Sequence, residues 1–165
     1  NPFANNDVES YIFLTNYTLQ LGWATWRNRW ESYSNDLTNE GSIMILKNLF
    51  RNFKFDILSV IFWFIQIYKS EKHYVDAWDW YHFYNQFKRR TNSVIYSNNL
   101  VLHDGWGEES LNMHDKDNEI FKSMKLSKFS TNPNITRERD NEFEKKIKKR
   151  YFEISILGFI KKLWN

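Results

Sequence analysis

A mainly α fold of about four to five helices, with one short β-hairpin near residues 94–102, is the architecture this sequence predicts. Three observations predict it. Apolar side chains recur at spacings of three and four through most of the chain. Capping residues stand ahead of several of those stripes. A single Asn-Asn pair separates two short apolar runs, VIYS and LVL.

Taken in order, Asp7 is a candidate N-cap for a first helix running to about Ser34. Trp23, Trp26, Trp30 and Tyr33 then fall at spacings of three, four and three. Large rings on one helical face mostly bury, so a core stripe is expected; Arg27 and Arg29 between them leave the alternative of a stacking surface for bases or lipid headgroups. Ser34 to Gly41 is polar and reads as a loop. Ser42 is a good N-cap for a second helix, with Ile45, Leu46, Leu49, Phe50 and Phe53 on one face and Lys47, Arg51 and Lys54 on the other.

Asp56 stands at the head of the most apolar stretch, Phe55 to Tyr68. Those 14 residues span about 21 Å as a helix, short of the roughly 30 Å of bilayer hydrocarbon. With Asp56 and Gln66 inside it and a mean hydropathy of −0.67 for the chain, a buried core helix is expected, while Lys54 and Lys69 could snorkel at a membrane contact. Ser70 to Arg90 has no Gly or Pro and carries rings on all sides. Such a helix must be covered on most sides, by its own core or by a partner. Trp78, Trp80, Tyr81, Tyr84 and Phe87, with Trp63 from the preceding segment, are therefore the residues expected to pack on a partner.

Asn98 and Asn99 tolerate positive φ and would turn a tight hairpin. His103 to Asp117 is rich in Gly and acids and reads as a loop, and Asn132-Pro133-Asn134 as a turn. Thr136 is a candidate cap for a last helix through Trp164. Phe143, Ile147, Tyr151 and Ile154 form one stripe, and Phe152, Ile156, Phe159, Ile160 and Leu163 a neighbouring one.

The length fits one domain or two small ones, and charge divides it. Residues 1–121 hold 11 basic and 15 acidic side chains; residues 122–165 hold 12 and 5. The expected organisation is an aromatic-rich, slightly acidic helical domain over 1–121 and a basic segment with an amphipathic helix over 122–165. Lys145, Lys146, Lys148, Lys149 and Arg150, with Arg137 and Arg139, are the candidate contacts for phosphate backbone or an anionic membrane surface. The competing expectation is a solvated helix face paired with Glu142 and Glu144.

Phe, Tyr, Asn, Lys and Ile supply 71 of the 165 residues, whereas Gly, Ala, Arg and Pro supply 18. The first group has AT-rich codons and the second GC-rich ones. Eight Trp run against that bias unless UGA also encodes Trp, as in most mitochondrial codes. The composition resembles that of proteins encoded in ciliate mitochondrial DNA. The resemblance spans the chain and carries no motif. It implies a constituent of a large mitochondrial assembly, in the matrix or on the matrix face of the inner membrane. The first ten residues, with Asp7 and Glu9 and no Arg, are unlike a transit peptide.

No catalytic motif accompanies these features. The absence of cysteine excludes disulfides, thiolate metal sites and cysteine nucleophiles. His103-Asp104 and His114-Asp115 with Asp117 are too sparse for a metal site, which needs converging ligands and a second shell. His73 and His82 are nine residues apart and do not share a helical face. Asp76, Asp79, Glu108 and Glu109 have no apolar pocket or nucleophile to act on, and Gly105-Trp106-Gly107 is too short for a phosphate loop. The sequons at Asn16 and Asn134 are expected by chance among 19 asparagines. No cofactor, metal or enzymatic activity is expected. Organelle genomes retain mostly very hydrophobic membrane subunits and ribosomal proteins, and this chain is hydrophilic with a basic end. The expected role is a mitochondrial ribosomal protein contacting rRNA and other proteins. The alternative is an accessory subunit of an inner-membrane respiratory-chain complex, its rings and apolar segment packed on membrane-embedded partners.

Overall fold

The computed structural model describes residues 10–20, 22–33, 37, 40–72, 78–102 and 125–158. The fold is mainly α with a small three-stranded sheet. In chain order the elements are β1 (Tyr11–Thr15), α1 (Arg27–Trp30), α2 (Ser42–Phe53), α3 (Ile57–Glu71), α4 (Trp78–Arg89), β2 (Ser93–Tyr96), β3 (Asn134–Arg139) and α5 (Asn141–Lys146). A π-helical segment, Ile147–Tyr151, continues α5.

The first departure from expectation is at the start. Residues 11–15, YIFLT, form the central strand β1 instead of helix. Their β-branched and aromatic side chains suit a pleated, half-buried surface, and Phe13 and Thr15 point to the buried side. Gly22 at φ +60° then turns the chain, and among the described residues before Ser34 only Arg27–Trp30 is helical. Asp7 lies outside the described residues.

β1 pairs antiparallel with β2, Phe13 opposite Ile95, and parallel with β3, Ile12 opposite Ile135. The anticipated hairpin is thus replaced by a long-range pairing. Asn98 and Asn99 do not turn a hairpin, because both side chains are buried and committed. Asn98 Nδ2 donates to Ser10 Oγ at 2.9 Å, and Asn99 Nδ2 to the Lys125 carbonyl at 3.3 Å. Those bonds draw the segment onto β1 and the residue 125–130 stretch. β3 and α5 replace the start of the last expected helix. Asp140, not Thr136, caps α5, its carboxylate accepting from the Phe143 N–H at 2.9 Å. Glu153 at φ +53° then interrupts the helical path. Of the second C-terminal stripe, Phe152 is buried and Ile156 exposed; Phe159, Ile160 and Leu163 lie outside the described residues.

The middle helices form close to where periodicity puts them. Asp56 caps α3 by accepting from Ser59 N at 3.2 Å and Ser59 Oγ at 2.8 Å. Gly41, one residue ahead of the anticipated Ser42, takes the N-cap position of α2. α2, α3 and α4 pack mutually, and α5 covers β1. Trp63 sits where these groups meet, with no exposed surface. Its ring lies 4.8 Å from Phe83 and Phe87, 5.0 Å from Phe152, 5.3 Å from Phe62 and 5.6 Å from Trp80. Tyr17, just beyond β1, stacks on it at 6.2 Å.

Phe152 and Ile147 therefore belong to the same core as Phe13, Trp63 and Phe87. The compositional boundary at 121/122 falls outside the described residues, and the segments on either side of it share one core and one sheet. No described helix is long and apolar enough to cross a membrane.

Two polar junctions pin the C-terminal segment. Glu144 Oε1 accepts from Asn16 N at 2.7 Å and Arg139 Nε at 2.9 Å, joining β1, β3 and α5. Lys148 pairs with Asp56, tying the π-helical segment to the cap of α3. Burial raises the Asp56 pKa, but hydrogen bonds from Lys148 and Ser59 outweigh it and hold the carboxyl below its ordinary 3.8.

Trp63→Ala should cost about 3–5 kcal/mol, measured by chemical denaturation, because the surrounding rings cannot close the void. Because folding lowers the Asp56 pKa, its contribution is complete above the ordinary value and is lost as pH falls through the folded one. Asp56→Asn should therefore flatten the acid limb of stability in thermal melts between neutral pH and the folded pKa.

Candidate functional site

The surface carries three features: a cationic ridge, an apolar helix face and an aromatic groove. The ridge lies on α5 and its π-helical continuation. Phe143 and Ile147 lock its inner side into the core, which leaves Lys145, Lys146, Lys149 and Arg150 exposed. Two of the seven anticipated cations are committed elsewhere. Lys148 is held by Asp56, and Arg139 grips Glu144 through two hydrogen bonds. Lys145 pairs with Glu142 at 2.6 Å, with both side chains more than 70% exposed, so that pair adds little stability and leaves the charge accessible. Among the described residues, no carboxylate pairs with Arg137, Lys146, Lys149 or Arg150.

The anticipated partner-packing set separates. Trp63, Tyr84 and Phe87 have no exposed surface and belong to the chain's own core, so no partner can reach them. Tyr84 is held there by polar bonds as well: its hydroxyl donates to Glu40 and accepts from Asn48 Nδ2 at 3.0 Å. Burial, and then the hydrogen bond to Glu40, push its pKa well up. Trp80 and Tyr81 are half-buried against the core, and Trp78 is exposed. One apolar surface that does face outward lies on α3, where Ile57, Leu58, Ile61, Ile65 and Tyr68 follow at helical spacing, with Phe55 beside them. The stretch is apolar on both sides, and among the described residues only one side is buried.

The groove is built from the segment expected to be a core stripe. Gly22 makes it possible: a Cβ there would lie 2.4 Å from the Val101 side chain. The turn aims Trp23 at α4, where it stacks on Trp78 at 5.6 Å and meets His82 at 5.1 Å. Trp30 stacks on Tyr33 at 5.0 Å, nearly parallel. Three hydrogen bonds strap the segment to α4: Tyr33 Oη donates to the Trp78 carbonyl at 3.1 Å, and Arg89 donates to the Ser32 hydroxyl and carbonyl. The cavity has a volume of about 930 Å³, and Arg29, Arg89 and His82 are among the residues on its walls. Trp26 remains 70% exposed. The expected core stripe is thus a surface cluster, because the short α1 and the irregular backbone before it cannot present one helical face to the core. The signal in the sequence was the interleaving of Arg27 and Arg29 with those rings.

Among the described residues, no group of three His, Asp or Glu is placed to hold a metal ion. His73, Asp76, His103, Asp104, Glu108, Glu109, His114, Asp115, Asp117 and the Gly105-Trp106-Gly107 stretch lie outside them. Asp79 is half-buried, and burial raises its pKa.

Burial among the rings lowers the His82 pKa below its ordinary 6.5. The unfolded chain therefore binds that proton more readily, and the stability gained from neutral His82 is lost as pH falls from 6.5 through the folded value. An NMR titration should place its midpoint below 6.5, and His82→Gln should remove that slice of the pH dependence. No protein-family model, curated protein or solved structure matches the chain.

Proposed function

We propose that the protein is a non-enzymatic structural constituent of a large mitochondrial assembly, a ribosomal protein that contacts rRNA. The observation carrying this reading is the ridge. Lys146, Lys149 and Arg150 are exposed, without carboxylate partners among the described residues, on a segment whose other face is fixed in the core. A rigidly presented row of cations binds phosphate without ordering a tail, and each phosphate it neutralises releases counterions. The compositional resemblance to ciliate mitochondrial proteins supports the compartment.

The α3 face favours a second reading, an accessory subunit of an inner-membrane respiratory-chain complex. Its exposed Ile57, Leu58, Ile61 and Ile65 lie between Lys54 and Lys69, the arrangement of an apolar surface covered by membrane-embedded partners with lysines at its margins.

Fractionation separates the two. The ribosomal reading expects cosedimentation with mitochondrial ribosomes and release by high salt. The triple variant Lys146→Glu, Lys149→Glu, Arg150→Glu should sediment free at salt concentrations where the native chain stays bound. Retention on membranes through a salt wash, with release only in detergent, would overturn that reading in favour of the second.

A further inference from the structure

We infer that the groove between α1 and α4 is a binding site for unpaired nucleobases of single-stranded RNA, with Trp26 and Trp30 as stacking faces and Arg29 as a phosphate contact. This rests on the RNA-contacting role proposed above but not on the ridge, which shares no residue with the groove.

The groove's form and charge narrow its occupant. Of the rings that line it, Trp30, stacked on Tyr33, keeps 47% of its surface in solvent and Trp26 keeps 70%. Rings so exposed offer flat faces, and a nucleobase is the flat partner that stacks on them with little dependence on sequence. A cage of rings can also hold an organic cation, but among the described residues no Asp or Glu lines this cavity, while Arg29 and Arg89 do. Arg27 adds a third positive charge on the same helical turn. Such walls repel a cationic ligand and favour one that joins planar faces to negative charge. An apolar helix fits poorly as well, since Asn28, Asn92 and Thr25 share the lining with the rings. Amides of that kind suit the hydrogen-bonding edges of bases. At about 930 Å³ the cavity has room for more than one base. A duplex keeps its bases stacked inside and cannot offer those faces.

A 12-nucleotide oligouridine and an RNA duplex of equal length test the site, read by quenching of intrinsic tryptophan emission and by anisotropy of labelled RNA. The single strand should quench saturably and the duplex should not. Trp26→Ala with Trp30→Ala should weaken single-strand binding about 5- to 100-fold and leave duplex binding unchanged. Trp26→Ala alone, at an exposed ring with no ring contact among the described residues, preserves the fold and should itself weaken binding several-fold. Arg29→Gln should lower the salt slope by about 0.7. Equal affinity of the double variant and the native chain for the oligouridine, or equal quenching by the duplex, would overturn the inference. The ridge variant separates the two claims. Loss of ribosome cosedimentation with oligouridine quenching intact supports both. A native chain that binds oligouridine but never sediments with ribosomes sinks the ribosomal reading and keeps the groove. Cosedimentation without oligouridine binding sinks the groove alone.

Discussion

The structure depends on one packing constraint, the closure of six rings around Trp63. Its neighbours come from α3 itself, from α4, from the end of β1 and from the C-terminal segment. Each ring pair contributes about 0.5–1.5 kcal/mol beyond its area. No single contact is large, but together they join elements that are distant in sequence. Without cysteine or a described metal cluster, packing of this kind must provide the cohesion. The Trp63 indole N–H finds no acceptor among the described residues, a further sign that the site favours close packing over polar satisfaction.

That closure decides which surface remains exposed. Once Tyr84, Phe87 and Phe152 turn inward, the outward rings include Trp26 and Trp30 at α1 and Trp78 at the start of α4, with Phe55 and Tyr68 beside the α3 face. Once Phe143 and Ile147 turn inward, the cations of the same segment must face water. The Asp56–Lys148 and Glu144–Arg139 junctions then remove two cations from that surface and use them to anchor the segment. The candidate surfaces thus follow from how the core is satisfied, and they differ in character: cationic on the ridge, cationic and aromatic in the groove, apolar on α3.

Much of the fold was legible in the sequence. Spacing located α2, α3 and α4, and Asp56 announced its cap, because those segments are amphipathic or apolar over many turns. The ends were harder. YIFLT and NITRER are short, and five or six residues carry too little periodicity to distinguish strand from helix. Their pairing joins positions more than a hundred residues apart, which no local pattern encodes. Asn98-Asn99 resembled a turn because isolated Asn tolerates positive φ; Ser10 and Lys125, distant in sequence, give those amides a better use.

By itself, the sequence determined the helical class, the cationic segment and the abundance of rings that had to be covered. Those properties are local sums of propensity, charge and hydrophobicity. Only the tertiary structure decided which rings line a groove and which fill the core, and which cations stay free. That choice depends on Gly22 turning against Val101, on the straps from Tyr33 and Arg89 to their distant partners, and on the carboxylates that meet Lys148 and Arg139. Each is a contact between distant segments, and its geometry exists only once the chain has closed around Trp63.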